Sequence, residues 1–90
     1  MDKVIITVVG KDTVGIIAKV CTYLSEKNVN VLDISQTIVQ EFFNMMMIVD
    51  INQAQVSFEE IYTRLEQLGE EIGVKIHCQR EEIFTKMHRI

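Results

Sequence analysis

The 90-residue sequence predicts an α+β sandwich: a four-stranded antiparallel sheet with two helices on one face. Two observations carry that prediction. Runs rich in Val, Ile and Thr are punctuated by Gly, Asn and polar turns, which is the pattern of short strands. Two further segments place apolar residues three and four apart, the spacing of one helix face. Their order along the chain is βαββαβ, with a short tail, in a single domain spanning residues 1–90.

Val4–Val9 is a continuous β-prone run and reads as the first strand. A loop with two glycines follows, and then a helix over Val14–Asn28. Ile17, Val20, Cys21 and Leu24 form its apolar stripe, while Lys19, Ser25, Glu26 and Lys27 lie mostly outside. Asp12 or Thr13 caps its start, and Asn28, which tolerates left-handed backbone, ends it. Val29–Gln40 is the second strand, and a tight connection around Glu41–Phe42 leads to the third, Phe43–Ile51. Residues 52–56 form a polar loop. Ser57 is the N-cap of the second helix, and Glu60, three residues on, completes a capping box. That helix, Phe58–Ile72, buries Phe58, Ile61, Leu65, Leu68 and Ile72. Gly73 ends it, Val74–Gln79 is the fourth strand, and Glu81–Ile90 is a last amphipathic turn or helix. Two right-handed split βαβ units give the ferredoxin-like arrangement, with spatial strand order fourth, first, third, second.

The far face of this sheet is too apolar to stand in water. Met45, Met47, Val49 and Ile51 share the helix-side face of the third strand, yet Met46 and Ile48 occupy the other. The first strand is apolar on both faces. In the second, Leu32, Ile34 and Ile38 alternate with Val31, Asp33, Ser35 and Thr37. A sheet with one solvated face shows clean alternation. A partner subunit, the C-terminal tail or both therefore cover it, and a homodimer is the simplest arrangement.

Composition excludes several functions. A net charge of −4 opposes binding to a phosphate backbone, so no nucleic-acid partner is expected. The apolar run after Met1-Asp2-Lys3 is too short for a signal core or a membrane span, so the expected location is cytoplasmic. Cys21 and Cys78 fall in apolar-patterned segments and read as buried thiols. His77 and Cys78 are strand neighbours and point to opposite faces, so they do not chelate one ion, and no metal or other cofactor is expected. Met45-Met46-Met47 reads as core and interface filler, His88 has no evident partner, and the acidic pairs Glu70–Glu71 and Glu81–Glu82 read as a solvated face. The sequence lacks a nucleophile elbow, a His-Glu metal motif and a phosphate loop. Acylphosphatases share the element order but place Arg in the first loop, where this chain has Lys11. RNA-binding relatives of the fold stack bases on central aromatics, which are missing here. The expected protein is not an enzyme.

The informative stretch is Gly10-Lys11-Asp12-Thr13-Val14-Gly15-Ile16-Ile17, where a strand runs through a glycine-bearing loop into a helix. Helix N-termini present unpaired N–H groups and partial positive charge, which stabilise a carboxylate or phosphate. This loop resembles the signature of the ACT domain family, a Gly-x-Asp-x-x-Gly-Ile/Leu turn after the first strand. Asn28-Val29-Asn30-Val31-Leu32-Asp33-Ile34-Ser35-Gln36 and Phe43-Asn44-Met45-Met46-Met47-Ile48-Val49 resemble the family's following segments. The resemblance covers nearly the whole chain and is closest to small stand-alone members related to the glycine-cleavage repressor.

It implies a regulatory module that binds a small ligand, mostly an amino acid, between paired domains. The backbone of Gly10, Asp12, Thr13, Val14, Gly15 and Ile16 would surround the ligand carboxylate. Asp12 and Asn30 would contact its polar groups, Asn30 from the neighbouring subunit. Many members carry Arg-Pro where this chain has Thr13-Val14, which removes a charged contact and a stiff backbone position. Three bland readings stand beside these. Asp12 serves equally as a helix cap, Asn30 as a turn residue, and Asp33 as a solvent-facing guard on an edge strand. The function expected is a ligand-sensing homodimer acting on a separate target protein. The alternative is an interaction module without a small molecule.

Overall fold

The computed structural model describes residues 2–11 and 15–81. β1 (Lys3–Lys11), α1 (Ile16–Glu26), β2 (Asn30–Val39), β3 (Phe42–Asp50), α2 (Phe58–Ile72) and β4 (Val74–Arg80) follow the expected order. They form one antiparallel sheet in the spatial order β2-β3-β1-β4. This is the ferredoxin-like arrangement, with the strand order that the sequence predicts. Of the predicted tail, all but Glu81 lies outside the described residues.

The core lies between the sheet and its helices. β1 contributes Val4, Ile6 and Val8, and β3 contributes Phe43, Met45, Met47 and Val49. α1 buries Ile16, Val20 and Leu24 against them, while Ile17 and Cys21 are only partly buried. α2 starts and ends where the sequence places it. The Ser57 hydroxyl accepts from the Glu60 N–H at 3.2 Å, and Gly73 closes the C-terminus. Its buried residues are Ile61, Leu65 and Gly69. Phe58, Leu68 and Ile72 are half-buried flanks. At Gly69 α2 packs tightly on β4: a Cβ there would sit 2.7 Å from the Val74 carbonyl oxygen.

Two expectations shift. α1 begins at Ile16 rather than Val14 and ends at Glu26, with Asn28 in left-handed backbone at φ 60. In β2 the register slips between Val31 and Asp33, a β-bulge at Leu32. Val31 therefore pairs with Val49 and joins the helix-side face, where Ile34 and Ile38 also lie opposite Met47 and Phe43. The simple alternation that set Val31 against Ile34 and Ile38 fails, because a bulge adds one residue to one strand and inverts parity across it. β2 is an edge strand beyond the reach of the helices, so Ile34 and Ile38 stay exposed.

The other face of the sheet carries Val39, Phe42, Val9 and Met46, all exposed, with Val39 at 62% and Phe42 at 53%. On the same face Ile5 is 5% exposed, between Ile48 on β3 and Gln79 on β4. The apolar outer surface read from the sequence is present.

Candidate functional site

β1 delivers the chain to the predicted binding loop. Gly10 lies inside β1, paired with Phe43 on one side and Val74 on the other. A Cβ on it would approach Val74 Cγ1 to 2.8 Å, so sheet packing alone accounts for a glycine there. Gly15 differs. A Cβ there meets nothing within 4 Å, but its φ is 89, a left-handed conformation that other residues adopt at a cost. It is the N-cap of α1, and its carbonyl accepts the Lys19 N–H at 2.9 Å. Ile16 turns its side chain into the core and leaves only its backbone for a ligand. Asp12, Thr13 and Val14, the centre of the predicted site and including the two expected caps, lie outside the described residues.

The two helix starts are unlike. α2 has a hydroxyl cap and two acids, Glu59 and Glu60, in its first turn. Among the described residues, α1 has no side-chain cap hydrogen bond and no acid in its first turn. Its leading N–H groups and positive dipole end are not neutralised by a described side chain, which is the arrangement that favours an anion.

Asn30 lies at the other end of the molecule. It faces Asp50, which pairs with Lys3 at the start of β1, whereas the loop follows Lys11 at the end of β1. The strand between them spans about 27 Å at the usual rise per residue. One chain therefore does not bring Asn30 to its own loop. Asn30 lines a cleft of about 570 Å³ with Cys21, Ser25, Asn28 and Gln53. The Asn28 side-chain amide donates to the Gln53 carbonyl at 3.0 Å, which fixes the cleft's rim. The sequence marked Asn28 and Asn30 through their turn chemistry, but had no local signal for Cys21, Ser25 or Gln53.

The thiols are free, Cys21 half-buried and Cys78 buried. Burial, and then the negative charge of Glu66, pushes the Cys78 thiol up to about 12, so it stays protonated and a poor nucleophile. Among the described residues no three His, Cys, Asp or Glu side chains cluster to hold a metal, and no helix is long and apolar enough to cross a membrane.

Comparison with known proteins matches this geometry to a family. The pattern of the ACT domain matches residues 2–79. A UPF0237 protein of Bifidobacterium longum is 70% identical over 90 residues, covering all of both chains. A UPF0237 protein of Methanocaldococcus jannaschii is 48% identical, again over the full length of both. Among solved structures, an ACT domain protein from Streptococcus pneumoniae superposes with a TM-score of 0.80 at 41% identity, covering 92% of this chain and 93% of that one. The ligand-free regulatory subunit of aspartate kinase from Thermus thermophilus superposes with a TM-score of 0.68 at 28% identity, covering 88% of this chain and 51% of that one.

Proposed function

Since this chain belongs to the ACT domain family, whose members are regulatory ligand-binding modules, we propose that it is a non-enzymatic sensor binding an amino acid at a homodimer interface. The observation that carries the reading is the start of α1. It is uncapped by any described side chain, entered through left-handed Gly15, and placed at the end of a central strand. An amino-acid carboxylate is the small anion that fits such a terminus and the resemblance of the loop. The likeness to a regulatory subunit of aspartate kinase, an enzyme of amino-acid metabolism by its name, supports the same ligand class.

The distance between the loop and Asn30 supports a dimer. Among the described residues β2 is an edge strand, with one side hydrogen-bonded to β3 and the other unpaired. Antiparallel addition of a second β2 sets the Asn30 end of one copy beside the Val39 end of the other. The Val39 end is the loop end, because Val39 pairs with Phe42 and Phe42 with Lys11. Each of two equivalent sites then takes the loop backbone, Gly10 to Ile16 with Asp12, from one copy and Asn30 from its partner. Pairing also removes the open edge, which in a β2 bearing exposed Leu32, Ile34 and Ile38 invites aggregation.

A thermal-shift series over the twenty amino acids tests the reading. A ligand at a hundred times its Kd adds about 2.7 kcal/mol of stability by mass action. Asp12→Ala and Asn30→Ala each remove the interface site's share of the shift while leaving the unliganded melting temperature nearly unchanged. A monomer in sedimentation and no shift with any amino acid at millimolar concentration overturn the proposal. The exposed Val39 and Phe42 would then favour the second reading, a module that docks on a partner protein without a small molecule.

A further inference from the structure

The helix layer holds a second concavity that the interface site does not use. α1 and α2 both pack on the sheet and leave a trough of about 320 Å³ between them. Ala18 and Leu68 are its apolar walls and Tyr23 lines its length, while Lys19 and Glu26 of α1 and Arg64 of α2 carry charge at its rims. Neither salt bridge among the described residues, Lys3–Glu81 or Arg80–Asp2, includes any of these three charges. Among the described residues Arg64 donates only to Gln67 Oε1, at 2.9 Å on its own helix. Lys19 and Glu26 have no side-chain hydrogen bond among the described residues.

Tyr23, which lines the trough, also carries an orphan. The Tyr23 hydroxyl is buried and has no hydrogen-bond partner among the described residues. Buried polar atoms are nearly always paired, because an unmade bond leaves the full desolvation cost uncompensated. Burial, and then the negative charge of Glu60, raise its pKa, so the group keeps its proton and is available as a donor.

We propose that this trough is a second small-molecule site, for a zwitterionic amino acid with a short side chain. The Lys19 ammonium and Arg64 guanidinium, from different helices, clasp the carboxylate, and the Tyr23 hydroxyl donates to it. Glu26 takes the ammonium group. Lys19 and Glu26 lie seven residues apart on one helix, about 10 Å along its axis, and their flexible stems close that gap. The volume is at the small end of ligand cavities, which suits a single free amino acid. This site is independent of the loop and of Asn30, so one chain holds it complete.

The test is an amide chemical-shift titration of the labelled protein with glycine, L-alanine and L-serine at millimolar concentration. Shifts should concentrate in residues 18–26 and 64–68. The double variant K19Q/R64Q, with both changes on exposed side chains, should weaken this binding by about tenfold or more, as loss of two charge-assisted contacts implies. Tyr23→Phe should weaken it severalfold without unfolding the protein. Asn30→Ala should leave it untouched, which separates it from the interface site. The proposal is overturned if none of the three ligands moves those amides, or if K19Q/R64Q binds as the unaltered chain does.

Discussion

Replacing Gly69 by Ala puts two opposing effects on one atom. In an exposed helix the change stabilises by about 1 kcal/mol, because Ala loses less backbone freedom than Gly. Here the new Cβ would lie 2.7 Å from the Val74 carbonyl oxygen and 3.1 Å from Ile76 Cγ1. The nearer contact is backbone on both sides, so no rotamer relieves it, and α2 must move away from β4. Overpacking of this kind costs about 1–3 kcal/mol, and a backbone-to-backbone clash belongs at the upper end. The net expectation is a loss of about 2 kcal/mol, or roughly 10 °C in Tm for a domain of this size. Urea denaturation measures it as a lower midpoint with unchanged slope. Adding Ile76→Val should not restore stability, since the carbonyl stays in place. A Gly69→Ala protein as stable as the parent, or more so, would refute the close approach of α2 to β4.

Other expectations are simpler. Ser57→Ala removes the hydroxyl that accepts from Glu60, and should cost about 1 kcal/mol in the same denaturation experiment. Gln40 sits in the β2–β3 turn at φ 57, so Gln40→Gly should raise stability by up to about 1 kcal/mol; a clear loss would contradict the turn geometry. Cys78 should make the fold sensitive to alkali. Its thiol titrates near 12 when folded against 9.0 ordinarily, so between those values the native state holds the extra proton and stability falls as pH rises. Cys78→Val should flatten that part of the pH profile. In the native protein at neutral pH, iodoacetamide should label Cys21 well ahead of Cys78, with peptide mass mapping as the readout.

Much of the fold could be read from local chemistry. α2 has the same ends in sequence and structure because Ser57, Glu60 and Gly73 act within one turn of it. Features set by distant partners were harder to see. The first strand reads as Val4–Val9, yet it runs on to Lys11 because Phe42 and Phe43 continue the ladder past it. Gly10 consequently sits in a sheet rather than a loop. The Leu32 bulge depends on how β2 meets β3, and no residue of β2 announces it. Gly69 resembles any mid-helix glycine until β4 lies beneath it. The candidate site divides in the same way. Gly15 and Asn30 stand out through their backbone preferences, whereas the Tyr23 hydroxyl becomes conspicuous only when two helices close around it.

The distance between the loop and Asn30 also makes the proposed interface site open to genetic complementation. A chain carrying Asp12→Ala still offers a sound Asn30, and a chain carrying Asn30→Ala still offers a sound loop. Each variant alone forms dimers with two broken sites. In a mixed pair, two-fold symmetry gathers both lesions into one site and leaves the other with its full set of contacts. Two variants that each lack the interface site, unfolded together and refolded as a mixture, should regain amino-acid binding at that site, which neither possesses alone. A site built within a single chain would show no such rescue.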